Sequence, residues 1–186
     1  MVSAKLRIAG GSARGVPIVE PRGHRLRPTS GLVREAIFNI LGDLVEGASV
    51  LDLYAGTGAL GLEALSRGAA HATFIDAEAA ACQAIVQTLG RIGWTSRASV
   101  LRGKLPSALS SLGSEFGIVF LDPPYGDETA EETLIGVVSK LEKRATVVYE
   151  HGSRYNPPEL PGGLRLTERR IYGDSAIAFY EPQEAE

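Results

Sequence analysis

Val50-Leu51-Asp52-Leu53-Tyr54-Ala55-Gly56-Thr57-Gly58-Ala59-Leu60-Gly61 is the stretch whose reading decides the fold. A short apolar run ends near a carboxylate, passes through closely spaced glycines and enters a second apolar segment. That is the signature of a buried strand turning sharply into a helix, the first step of a doubly wound α/β sheet. Glycines allow the tight turn and let a ligand approach the main chain. Gly56-x-Gly58-x-x-Gly61 also fits the dinucleotide-binding pattern, which alone is weak evidence and is equally met by a strand–helix turn with no ligand.

Working outward, the chain alternates. Strands are expected at residues 49–54, 72–76, 99–102, 118–122 and 145–150, and helices at 59–67, 78–91, near 106–112 and at 128–141, with Gly68 and Gly93 as stops. Upstream, Val33, Ala36, Ile37, Ile40, Leu41 and Leu44 recur at helical spacing behind Pro28 and a Thr29 or Ser30 cap. Runs at 6–9 and 16–19 around Gly10-Gly11 and Arg14-Gly15 read as a β-hairpin or a loose arm. At the other end, 164–172 and 175–180 flank a Gly173-Asp174 turn, a strong hairpin signal. The expectation is a seven-stranded, mostly parallel, doubly wound sheet closed by an antiparallel hairpin. A basic arm over residues 1–30 would precede a catalytic domain over 31–186.

In such sheets ligands sit at the carboxyl ends of the strands. Asp52 lies just before the glycine loop, where a carboxylate repels a pyrophosphate and attracts a cationic amino group. Asp76 ends the next strand, placed to accept from two ribose hydroxyls. Asp52 favours S-adenosylmethionine over a dinucleotide, Asp76 supports a nucleoside ligand without choosing between them, and Leu53, Tyr54, Ala55, Gly56, Gly58, Gly61 and Ala77 would form the rest of the bed.

Phe120-Leu121-Asp122-Pro123-Pro124-Tyr125 closes the fourth strand. Two prolines fix φ and remove two N–H donors, leaving a stiff loop rich in acceptors. An exocyclic amino nitrogen of a base is a poor nucleophile because its lone pair is delocalised into the ring. Acceptance of its two N–H groups by the Asp122 carboxylate and the Pro123 carbonyl frees that lone pair. Pro124 holds the turn, and Tyr125 offers a face on which a base can stack, a contact of ~1–3 kcal/mol.

Charge is unevenly placed. Residues 1–34 hold seven basic side chains against Glu20 alone, a balance of +6; the rest holds 12 bases and 21 acids, −9, giving the formal −3. A basic arm on an acidic body is a footprint of polyanion binding, with Arg7, Arg14, Arg22 and Arg25 as candidate RNA contacts. A solvated terminus is the plainer alternative. With 186 residues, 44% hydrophobic, the chain suits one domain. No apolar run suggests a signal peptide or membrane span. Cys82 alone excludes an internal disulfide and suits a reducing cytoplasm, and three scattered histidines argue against a metal.

With both motifs in hand, the chain resembles the bacterial 16S ribosomal RNA guanine-N2 methyltransferases. The likeness runs from Leu6 to Tyr180 and includes Arg7-Ile8-Ala9-Gly10-Gly11, Arg27-Pro28-Thr29, Val33-Arg34-Glu35-Ala36 and Phe120–Tyr125. The resemblance implies a class I, Rossmann-like, monomeric enzyme using S-adenosylmethionine on small-subunit RNA in an assembled or assembling particle. It also implies that Arg27, Thr29 and Arg34 lie over the cofactor. Three positions depart from the pattern: Gly31 replaces an acid, Thr88 an asparagine, and Gly103-Lys104-Leu105 the usual acid after the third strand, so a backbone carbonyl near Lys104 would take the adenine amino group. The alternatives are an adenine-N6, other nucleic-acid or protein-amide methyltransferase, an RNA-binding non-enzyme, and a nicotinamide oxidoreductase.

Overall fold

A computed structural model describes residues 6–21, 31–113 and 115–183. Its elements are α1 (Gly31–Leu41), β1 (Ser49–Leu53), α2 (Ala59–Ser66), β2 (His71–Asp76), α3 (Ala79–Ile92), β3 (Ala98–Arg102), β4 (Phe116–Leu121), α4 (Ala130–Gly136), β5 (Leu141–Gly152), β6 (Leu164–Tyr172) and β7 (Ser175–Pro182). The strands form one sheet of order β3-β2-β1-β4-β5-β7-β6. β1 to β5 run parallel, and β7 inserts antiparallel between β5 and β6. The order reverses between β1 and β4, so their carboxyl ends open a crevice.

Period-2 alternation sorts the sheet's side chains onto two faces. Val50, Phe74, Ile118, Phe120, Val148 and Ile177 pack beneath α1, α2 and α3. Leu51, Leu53, Val119, Leu121, Val147 and Tyr149 pack with α4 and a 3₁₀ segment, Ser107–Ser111. Helices on both faces make the sheet doubly wound, as expected.

Three local expectations change. The helix expected near 106–112 is the tighter 3₁₀ segment. The one expected at 128–141 is α4 followed by a 3₁₀ turn, Val137–Lys140. β5 begins at Leu141 and runs for 12 residues. α4 stays short where Gly136 approaches the 3₁₀ segment: a Cβ there would lie 2.8 Å from Leu109 Cδ1. β5 gains its length at both ends: Leu141 pairs with Phe116 of β4 ahead of a register shift, and β7 pairs with β5 as far as Gly152–Ser175.

The described part of the arm is no loose appendage. Residues 6–18 form a small hairpin, with Ile8 N–H donating to Val16 O (3.0 Å) and Ile18 N–H to Leu6 O (2.9 Å). Ile8, Ala13 and Ile18 are buried in the α1–α3 core, worth about 1.5–3 kcal/mol for each large side chain. Ser12 N–H donates to Ser66 O (2.7 Å), Ala13 N–H to Ser66 Oγ (2.9 Å), and Val19 N–H to Thr88 Oγ1 (3.0 Å). Gly11, at φ +74°, sits so near that a Cβ would be 1.9 Å from Ser66 O. Of the two readings, the hairpin rather than the loose arm is found over residues 6–18, and Gly11 serves close docking. Nor does packing separate residues 6–21 from the domain. The cap residues Thr29 and Ser30 lie outside the described residues.

Candidate active site

A cleft of about 1250 Å³ opens along the carboxyl ends of the strands. It exceeds the ~300–1,000 Å³ of ordinary small-ligand sites, leaving room for a cofactor and an inserted base. β1 delivers Asp52 to its floor, and Tyr54 then turns the chain at φ +57°. A non-glycine residue in this region stores about 1–3 kcal/mol of strain. The Tyr54 hydroxyl is tied 2.9 Å from Thr133 Oγ1; since Thr133 donates to Thr129 O, Tyr54 is the donor. Gly58, at φ +73°, starts α2. Gly61 packs α2 against β2, where a Cβ would stand 2.3 Å from the Phe74 ring and 3.1 Å from Asp52 Oδ2.

Asp52 is 2% exposed and accepts from Gly61 N–H at 2.9 Å. Burial pushes its carboxyl well above the usual range, opposed by the Gly61 bond and reinforced by the negative charges of Asp122 and Asp76. A cation in the cleft would offset both effects. Asp76 Oδ2 accepts from Gly56 N–H (2.7 Å) and Oδ1 from Glu78 N–H (2.8 Å). Each oxygen keeps a lone-pair site for a hydroxyl. Ala77, Gly103, Lys104 and Leu105 continue the wall. Gly103 N–H donates to Asp76 O, and Lys104 O already accepts from Ala108 N–H at 2.9 Å. The carbonyl considered for adenine is thus half engaged.

Opposite stands the Asp122–Tyr125 loop. Asp127 N–H donates to Pro124 O (3.1 Å), and Asp127 Oδ1 accepts from Thr129 N–H (2.8 Å) and Oγ1 (2.7 Å). Burial tends to raise Asp127, but the two Thr129 bonds outweigh it and keep it ionised. Tyr125 is 64% exposed, with its hydroxyl 3.2 Å from Ser175 Oγ, so the tether leaves a broad aromatic surface open.

The cleft thus gathers Asp52, Tyr54, Ala55, Gly56, Asp76, Ala77, Lys104, Leu105 and Asp122–Tyr125. Leu53 points into the opposite core, and Gly58 and Gly61 shape the loop from behind. Arg34 is corrected. It is buried away from the cleft, its Nη2 donating to Arg7 O (2.8 Å) and its Nε 3.6 Å from Glu63 Oε2. Its charge anchors the arm because the fully buried Glu63 needs cationic and N–H partners. Arg7 and Arg14 are exposed, Arg7 bonding Gly15 O. Arg22, Arg25, Arg27 and Thr29 lie outside the described residues.

Sequence reasoning passed over the end of β5, where Tyr149, Glu150 and His151 line the cleft with Tyr155. The rule that ligands meet strand carboxyl ends would have found them. His151 Nδ1 is 2.9 Å from Gly152 O; a carbonyl only accepts, so Nδ1 carries the proton. Burial and then the Arg169 charge press His151 down, against the Gly152 bond, and keep it neutral. Its ring packs against Tyr149 and Tyr155. Nine carboxylates and one lysine line the cleft among the described residues.

The model of the family described as Conserved hypothetical protein 95 matches residues 6–181. The chain belongs to this family. The span of Conserved hypothetical protein 95 takes in the arm hairpin with the whole sheet, in keeping with their shared core. The chain is 36% identical over 181 residues to the Ribosomal RNA small subunit methyltransferase D of Escherichia coli K12, covering 96% of this chain and 91% of that protein. The same-named protein of Haemophilus influenzae is 33% identical, covering 95% and 94%. The solved structure of yhhF from Escherichia coli superposes with a TM-score of 0.87 at 32% identity, covering 98% of this chain and 100% of that one.

Proposed function

We propose that this protein transfers a methyl group from S-adenosylmethionine to the exocyclic N2 of a guanine in 16S ribosomal RNA of the small subunit. One observation carries the reading: the cation-seeking Asp52 and ribose-seeking Asp76 share a cleft with the rigid acceptor loop Asp122–Tyr125, in a chain 36% identical to a small-subunit RNA methyltransferase.

The residues fit the cofactor. Asp52 faces its amino group, Asp76 its ribose hydroxyls, and the Tyr54–Gly58 backbone its methionine portion. When bound, S-adenosylmethionine supplies an electrophilic methyl on a sulfonium. The chain's own residues do the rest. Asp122 and the Pro123 carbonyl accept the two N2–H bonds, which localises the lone pair on nitrogen. Transfer would break the methyl–sulfur bond as the nitrogen–methyl bond forms, leaving adenosylhomocysteine, and the excess proton on nitrogen would pass to Asp122 and then to water. The acceptors stand in place beforehand, so little reorganisation is needed during the reaction. Tyr125 stacks the base, and the acidic cleft excludes phosphates while admitting a base edge rich in N–H donors. Affinity for the RNA backbone comes from Arg7 and Arg14 with Arg22 and Arg25. The protein works as a cytoplasmic monomer on the small subunit or its assembly intermediate.

The test is tritiated methyl transfer to unmethylated small subunits followed by nucleoside analysis. N2-methylguanosine is the expected product; N6-methyladenosine would replace this reading by an adenine-N6 activity.

A further inference from the structure

Asp122 has a cross-strand neighbour of the same chemistry. β4 and β5 run parallel with Phe120 opposite Val148 and Leu121 opposite Tyr149, so Asp122 and Glu150 come next, side by side at the carboxyl ends. Alternation fixes where each points. Phe120 and Val148 pack on the α1–α3 face, and Leu121 and Tyr149 on the α4 face. Glu150, two residues beyond Val148, therefore emerges on the face of Asp52, whose carboxyl already feels Asp122. His151 turns the other way to join Tyr149 and Tyr155. The backbone at Glu150 is held by pairing with the buried Ile177 of β7, beyond the end of β4. Asp122 and Glu150 both line the cleft.

Resting on the guanine-N2 reading, we propose that Glu150 determines base specificity: its carboxylate accepts the N1–H of the target guanine while Asp122 and the Pro123 carbonyl accept the N2–H groups. Guanine presents N1–H and the N2 amino group as adjacent donors on one edge. Adenine presents an amino group beside a bare N1 lone pair. An ionised carboxylate only accepts, so Glu150 binds the first edge and repels the second. A single barrier of this kind serves attraction and exclusion together. The arrangement also answers an electrostatic problem. Two neighbouring carboxylates repel each other in a partly desolvated cleft, and a row of donors bridging both relieves that repulsion. One Glu150 oxygen suffices for N1–H.

The decisive comparison uses two substrates and three forms of the full-length enzyme. Small subunits are reconstituted with 16S RNA carrying either guanine or 2-aminopurine at the target. The analogue keeps the N2 amine and stacking face but has no N1–H. Wild type should favour guanine in kcat/KM by on the order of 10–100-fold, the range for a charge-assisted hydrogen bond. Glu150→Ala should slow the reaction on guanine, speed it on 2-aminopurine by removing the repulsion of its bare N1, and bring the ratio near one. Glu150→Gln, whose amide oxygen still accepts, should retain part of the preference. Calorimetry with adenosylhomocysteine confirms that each variant keeps a formed cofactor site. An equal loss on both substrates, or an unchanged ratio, overturns the role of Glu150 and leaves the methyltransferase reading standing. A wild-type enzyme that methylates neither guanine nor its analogue at N2 overturns both.

Discussion

Asp122 and Asp52 carry the same functional group in one cleft, and their environments give them opposite tasks. Asp122 lies just past the end of β4, half-exposed beside two prolines, and its proposed task is to act on the substrate amine. Asp122→Ala should keep cofactor affinity within about twofold while turnover falls by about 100-fold or more, as for loss of a preorganised polar group; calorimetry and single-turnover kinetics separate the two. Near-wild-type turnover would contradict the proposed chemistry. Asp52 is buried and its carboxyl is raised, chiefly by desolvation. A raised folded-state value means that the buried acid favours folding while protonated, and that this advantage is lost as pH climbs from the ordinary value of 3.8 through the raised one. Toward neutral pH this buried acid therefore costs the cofactor-free fold stability. Asp52→Asn keeps an acceptor for Gly61 N–H and removes the titrating group, so its melting temperature should rise at pH 7. Its affinity for adenosylhomocysteine should fall by about tenfold through loss of the cationic partner. A lower melting temperature would show that the carboxylate is already neutralised within the protein.

Between residues and fold lies the joint of arm, α1 and α2. Glu63 is fully buried and accepts from Ala9 N–H (2.7 Å) and Arg67 Nε (2.9 Å), with Arg34 Nε at 3.6 Å. Burial lowers the Arg34 guanidinium, and the Glu63 charge opposes that shift. Removing one member leaves buried cations uncompensated, at a cost of about 3–5 kcal/mol. Glu63→Ala should thus destabilise the chain by that amount in urea unfolding and speed hydrogen exchange at Ala9 and Ser12 N–H. If those amides stay protected, the apolar contacts of Ile8 and Ile18 alone hold the arm. By resemblance, Arg34 joins Arg27 and Thr29 over the cofactor; packing gives this arginine another task. Spacing places Arg34 on the buried stripe with Val33, Ile37 and Phe38, but its partners, Glu63 from the distant α2 and the Arg7 carbonyl from the arm, are supplied by the fold.

The molecule as a whole divides its charge. An acidic cleft suits a cationic cofactor and a donor-rich base edge, and it repels the RNA that carries the base. In the proposed function the attraction comes from the basic arm. Neutralising the exposed Arg7 and Arg14 together should lower the slope of log affinity against log salt, by about 0.7 for each phosphate of a single-stranded target that the arm no longer neutralises. Cofactor binding should stay unchanged. A slope that survives moves the RNA surface elsewhere on the body. Much of this design was legible in the chain alone. The glycine loop, the alternation of strands and helices, Asp76 at a strand end and the Asp122–Tyr125 loop are local patterns, because turn geometry and strand period act over a few neighbouring residues. β5's extra length was not legible, since it comes from pairing with Phe116 of β4 at one end and with the downstream β7 at the other. The docking of residues 6–21 was hidden too: the run around Gly10-Gly11 reads equally as a hairpin or a loose arm until Ser66 is found packed against Gly11. Glu150 gained meaning only when parallel pairing set it beside Asp122. Sequence determined the elements and the chemistry at their ends, because those follow from local sterics and periodicity. Tertiary structure decided which charges meet, because partners distant in the chain are chosen by burial and register.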